Sequence, residues 1–74
     1  MTAVVARVRL TNGDQIDVTY EDPDTAEVSD LVDHMIVTLA DDTGVLRTRH
    51  GDRLMVLYGR GVAALEVAPR GAVL

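Results

Sequence analysis

The sequence predicts a mostly β protein: a small, strongly bent antiparallel sheet or barrel of five to six strands, with one short helix after the first hairpin. Three observations carry this expectation. Apolar residues recur at every second position through much of the chain. Turn-forming Gly, Asn and Asp interrupt them at about the 8 to 12 residue spacing of small all-β domains. Only the stretch after Pro23 shifts to a helical period. At 74 residues the chain is one domain, placed at residues 1–69, with a short tail at 70–74.

In VVARVRLTNGDQIDVTYE, Val4, Ala6, Val8 and Leu10 alternate with Val5, Arg7 and Arg9, and past Asn12-Gly13 the alternation resumes at Ile16, Val18 and Tyr20. Asn-Gly between two alternating runs is the strongest local hairpin signal, because both residues accept the left-handed backbone of a tight turn. Asp24-Thr-Ala-Glu27 then has the spacing of a capping box. Val28, Leu31, Val32, Met35 and Ile36 share one helical face, with Asp30, Asp33 and His34 opposite. A helix over about Thr25 to His34 follows from this pattern. Met35 to Ala40 is assigned as a strand because Ile36-Val37-Thr38 is β-branched, although the spacing would also let the helix run on to Ala40.

Asp41-Asp-Thr-Gly44 turns the chain into a strand at Val45 to Arg49, and His50-Gly-Asp52 turns it into another at Arg53 to Tyr58. Gly59-Arg60-Gly61 makes a last tight turn, with Gly61 left-handed, into a strand at Val62 to Val67 that Pro69 ends. Leu54, Met55, Val56, Leu57 and Tyr58 are apolar on both faces of their strand. Such a strand is either central or lies at a subunit interface.

Two segments resemble the Sm-like (Hfq-type) family of small β-barrels. R-V-R-L-T-N-G-D-Q-I places Leu10, Asn12 and Gly13 as in the family's opening hairpin, and L-Y-G-R-G-V-A-A-L-E-V places Arg60-Gly61 in the turn between its last two strands. Other positions depart from the pattern. Val18 stands where the family has a glycine that bends the second strand, the Asp-x-x-Met-Asn stretch of the base-binding loop is missing, and the helix falls between strands rather than at the N-terminus. The resemblance implies a ring of barrels with Arg60 near the pore. It does not carry RNA binding with it, because the base-reading positions are unfilled. The competing architecture is an α+β fold of the ubiquitin-like β-grasp kind, for which hairpin, helix and further strands is a natural order.

Composition bears on assembly. The chain has no Cys to staple it and no Phe or Trp to supply large buried area. Small domains lacking both commonly complete their burial against copies of themselves or a partner, so a homo-oligomer is expected. No apolar run approaches the length of a membrane span, the N-terminus has no secretory pattern, and the absence of cysteine fits a reducing compartment; a cytoplasmic protein is expected. All seven basic residues are Arg, with none Lys, and Ala, Val, Gly and Asp are abundant. That is the coding bias of a high-GC genome, such as an actinobacterium or one of its phages.

The net charge of −5 opposes non-specific nucleic-acid binding, which draws its affinity from cations that displace phosphate counterions. Its distribution is uneven. Ten acidic residues and no arginine occupy Asp14 to Asp42, whereas Arg7 and Arg9 precede this block and Arg47, Arg49, His50, Arg53 and Arg60 follow it. Two readings follow: a solvated surface with scattered arginines, or a bipolar protomer whose basic side docks on the acidic side of the next copy. Arg47, Arg49, Arg53 and Arg60 are the candidate ligand- or partner-binding residues, and Leu54 to Tyr58 the candidate interface. A nucleic-acid groove is disfavoured, since only Tyr20 and Tyr58 could stack on bases. A small anion held between subunits would also suit the arginines.

The sequence assigns no catalytic residue, metal or cofactor. His34 and His50 lie on different elements without a second ligand at metal spacing. Asp22, Asp24 and Glu27 lack the glycine and terminal glutamate of a calcium loop. Ser29, the sole serine, has no G-x-S-x-G around it, and Gly59-Arg60-Gly61 is too short for a phosphate loop. The expected function is a non-enzymatic, self-associating binding or scaffold module.

Overall fold

A computed structural model describes residues 2–24 and 27–67 of the chain. Strands β1 (Thr2–Leu10) and β2 (Gln15–Asp22) form the first hairpin, followed by helix α1 (Val28–Ala40). Strands β3 (Val45–His50) and β4 (Arg53–Tyr58) form a second hairpin, and one 3-10 turn (Gly59–Gly61) leads into β5 (Val62–Val67). Every pairing is antiparallel, and the order across the sheet is β4-β3-β2-β1-β5. This is the mostly β sheet with one helix after the first hairpin that the sequence predicts. It is bent and open rather than closed into a barrel.

The bend follows from connectivity. β4 and β5 are consecutive in the chain yet lie on opposite edges of the sheet. Four strand spacings of about 4.8 Å would separate them by about 19 Å if the sheet were flat. From Tyr58 to Val62 the chain reaches about 14 Å at full stretch, and about 8 Å as a 3-10 turn. Only a curled sheet satisfies both. A register shift in the β1·β5 pairing adds to the bend: Arg9 faces Ala64 but Leu10 faces Val62, which leaves Ala63 as an extra residue. Thr11 N–H then donates to Gly61 O at 3.1 Å, tying the turn to the end of β1.

Two turns differ in kind from the sequence-based expectation. At the first hairpin Gly13 has φ +94° but Asn12 does not have a positive φ, so this is not the two-residue turn with both central residues left-handed. Asn12 acts instead through its side chain, whose Oδ1 accepts from Asp14 N–H at 3.0 Å, while Leu10 N–H donates to Asp14 O at 2.7 Å. Gly59–Gly61 is likewise no hairpin. It joins strands that do not pair with each other, and Gly61 is not left-handed.

Helix α1 corrects the assignment of Met35 to Ala40 as a strand. Leu31, Met35 and Leu39 are buried at a spacing of four, so the stripe that starts in the predicted helix continues to its observed end. Each of Ile36, Val37 and Thr38 costs about 0.5 kcal/mol of helix propensity relative to alanine, whereas burying a leucine side chain is worth about 2 kcal/mol. Tertiary burial wins, and Ile36 and Val37 remain exposed. The capping box is not formed. Glu27 is the N-cap and makes no side-chain cap bond, and the Asp24 amide donates to the Asp22 carboxylate at 2.9 Å. The expected helix start at Thr25, the strand stop at Pro69 and the tail at 70–74 lie outside the described residues.

The core lies between α1 and the concave face of the sheet. Val4, Ala6 and Val8 of β1, Val18 and Tyr20 of β2, Leu46 of β3 and Leu57 of β4 meet Leu31, Met35 and Leu39. The helix ends against the corner where β4 leaves the sheet. A Cβ on Gly59 would sit 2.0 Å from Asp41 O and 2.9 Å from Leu39 O, and one on Gly44 would sit 1.8 Å from Thr38 O. Gly59 N–H donates to Gly44 O at 2.9 Å, so three backbone segments meet where no side chain fits.

We expect Gly59→Ala to cost at least about 3 kcal/mol, at the upper end for overpacking, because the obstruction is backbone rather than a movable side chain. Gly61→Ala, whose Cβ would meet nothing within 4 Å, should cost less than about 1 kcal/mol. Thermal or urea unfolding of the two variants checks the difference; equal losses would contradict this packing.

Candidate functional site: the outer face and the β4 edge

The strands alternate, so what is not turned to the core forms an outer face. On β4 the apolar run divides between the two. Leu57 is buried and Met55 half-buried on the core side, while Leu54 is 65% exposed, Tyr58 is 47% exposed and Val56 lies between them on the outside. Val45 of β3, half exposed, stands opposite Tyr58, and Arg47 and Arg49 stand opposite Val56 and Leu54. β4 is therefore not a central strand. It is an edge strand with an apolar outer triplet.

Its backbone also faces outward. Antiparallel partners alternate between pairs that exchange two hydrogen bonds and pairs that exchange none. Gly59 bonds to Gly44, the step beyond Tyr58 and Val45, so the bonded positions toward β3 are the odd-numbered ones. Leu54, Val56 and Tyr58 consequently direct their N–H and C=O groups to the open edge. Thr48 fixes the strand from inside: it is 2% exposed, and its hydroxyl donates to Met55 O at 2.7 Å.

The arginines are distributed by strand register. Arg7 Nε donates to Asp17 Oδ1 at 3.0 Å across β1·β2, Arg9 Nε donates to Glu66 Oε1 at 2.6 Å across β1·β5, and Arg49 pairs with Glu21. Acidic and basic residues thus interleave on the outer face, while the exposed Asp30 and Asp33 of α1 lie on the other side of the sheet, on a helix that carries no arginine. The acid-rich block of the sequence includes β2, and β2 lies between two arginine-bearing strands. Arg47, Arg53 and Arg60 make no ion pair among the described residues. The Arg60 guanidinium rests 5.0 Å above the centre of the Tyr58 ring, a cation–π contact on the edge strand.

Arg47 and Arg49 meet in a shallow cleft of about 320 Å³, with Thr19, Glu21, Thr48 and Leu54. It opens where β2 and β3 share a single registered pair, Thr19 with Arg49. Glu21 already pairs with Arg49 there, so of the two arginines only Arg47 lacks an ion pair among the described residues. Arg53 and Arg60 do not line it. A second cleft, of about 360 Å³, runs between the C-terminal half of α1 and β5 and includes Ile36, Leu39, Val62 and Leu65.

The remaining polar groups are engaged structurally. His34 stacks on Tyr20, with ring centroids 5.9 Å apart and planes 8° from parallel. Burial raises the Tyr20 phenol above its ordinary pKa, with a smaller push from Asp22. His50 Nδ1 lies 2.7 Å from Asp17 O, so that nitrogen carries the proton and donates. Ser29 is exposed on the first turn of α1. No three His or carboxylate groups gather as a metal site among the described residues. The Tyr20–His34 stack and the Glu21–Arg49 pair carry no signal in the sequence, because each joins elements whose packing is set by the curl. Thr48 does: a threonine between Arg47 and Arg49 on an alternating strand faces the core.

No family model, curated protein or solved structure matches the chain.

The hydrogen bond from Arg7 holds the Asp17 carboxyl below the ordinary carboxylate pKa. A lowered folded-state pKa contributes stability above the unfolded value of about 3.9 and loses it as pH falls through the folded value. Carboxyl-carbon NMR titration should place Asp17 below that reference, and Arg7→Gln should move it up. An unmoved midpoint in Arg7→Gln would contradict the pairing.

Proposed function

We propose that the protein is a non-enzymatic, self-associating binding or scaffold module that assembles through β4. One observation carries the reading: an edge strand whose free backbone groups belong to Leu54, Val56 and Tyr58, the same residues that expose apolar side chains. Solvated edges are usually short, charged or bulged, because an open apolar edge is a template for another strand. β4 has none of these protections past Arg53.

Catalysis has little support, because both histidines are committed to structural contacts. RNA binding is a weaker reading than assembly for two reasons. Tyr20 is buried under α1, which leaves Tyr58 as the one tyrosine on the surface, and the chain is acidic. The ring implied by the Sm-like resemblance is the alternative form of assembly, and particle mass separates it from a dimer.

Light scattering after size exclusion, at concentrations on the order of tens of micromolar, should give a mass at least twice the 8.0 kDa chain. The double variant Leu54→Glu/Tyr58→Glu should be a monomer with unchanged circular dichroism, losing about 1 kcal/mol of stability or less at these exposed positions. A wild-type protein that is monodisperse and monomeric would sink the proposal. If Arg47, Arg49, Arg53 and Arg60 changed together to Glu abolish assembly while the apolar double variant does not, the arginine surface holds the copies together instead.

A further inference from the structure

Resting on that reading, the structure also indicates how two copies meet. Of the two sheet edges, β5 is the blunted one. It carries the register shift at Ala63, and Glu66 stands on its outer face. β4 runs unbroken through six residues, with its apolar triplet intact. We infer that the partner of β4 is β4 of a second copy, paired antiparallel about a two-fold axis through Val56.

Three constraints select this register. Side chains directly opposite in an antiparallel pair share a face, so two β4 strands that keep their outer faces together must pair even-numbered with even-numbered residues. Their bonding positions must also be those with free N–H and C=O groups, namely Leu54, Val56 and Tyr58. Centring on Val56 meets both conditions with every bonded pair inside the strands. Leu54 faces Tyr58 of the second copy, Val56 faces Val56, and Met55 faces Leu57 on the core side. Centring on Met55 would instead set Asp52, a turn residue, against Tyr58.

Charge agrees with the same register. Beyond the paired strands, Asp52 in the β3–β4 turn of one copy and Arg60 in the 3-10 turn of the other fall at the same end of the contact, twice by symmetry. Both residues are exposed, and neither is in an ion pair among the described residues. Arg60 is held above Tyr58, whose opposite number is Leu54 of the second copy, so its guanidinium sits at the rim of the apolar contact. The product is a continuous ten-stranded sheet with an isologous, self-closing interface.

Because the chain has no cysteine, single thiols test the register directly. Cα atoms across a bonded antiparallel pair are about 5.5 Å apart, within disulfide reach. Val56→Cys should therefore oxidise to a covalent dimer with itself. Leu54→Cys should not, since its two copies would be about 13 Å apart along the strands, whereas Leu54→Cys/Tyr58→Cys should. Asp52→Arg should weaken dimerisation roughly tenfold, and adding Arg60→Asp should restore it. If wild type assembles but Val56→Cys and the double cysteine variant both stay uncrosslinked, this pairing is wrong while self-association stands. If wild type is a monomer by light scattering, both fall together.

Discussion

The fold depends on one short connection. Three residues, Gly59–Gly61, must carry the chain from one edge of a five-stranded sheet to the other. That distance closes only if the sheet curls until its edges approach. The curl makes the concave face on which α1 lies, and its corner is where the helix ends. Gly44 and Gly59 let the carbonyls of Thr38 and Asp41 approach closer than any side chain would allow. Backbone contact at that corner fixes the helix, the entry to β3 and the exit from β4 together.

The same constraint shapes the candidate surface. With β5 taken by β1, β4 has only β3 as a neighbour among the described residues, so its second row of backbone groups stays open there. Curling turns Met55 and Leu57 inward to the core and leaves Leu54, Val56 and Tyr58 outside. Strand register in turn disperses the charge, setting Asp17 beside Arg7 and Glu21 beside Arg49. Exposed pairs of this kind are salt-screened and contribute little individually. Their main effect is to keep the outer face from being a single-sign field. The apolar edge, more than net charge, is the feature on which the proposed self-association rests.

Local patterns made much of the fold legible. The alternation around Asn12-Gly13 gave both strands of the first hairpin, and the stripe from Val28 marked the helix. LMVLY stood out as more apolar than one side of a strand requires. What stayed hidden was set by long-range packing. The β-branched run at Ile36 to Thr38 suggested a strand because Leu39's place in the core is not visible locally. The glycines around Arg60 suggested a hairpin because sequence does not show that β5 pairs with β1. The gathering of Arg47 and Arg49, without Arg53 and Arg60, in one cleft depends on the sparse β2·β3 seam, where only Thr19 and Arg49 are in register.

The corner at Gly59 is part of the cooperative core and not a loose connector. Native-state amide exchange measures this residue by residue. The Gly59 amide, bonded to Gly44 O, and the Thr11 amide, bonded to Gly61 O, should exchange only through global unfolding, with the same free energy as the amides of central strand β1. Fast exchange at Gly59 and Thr11 while β1 stays protected would mean that the turn opens independently. The curl would then not be held at the Gly59 corner.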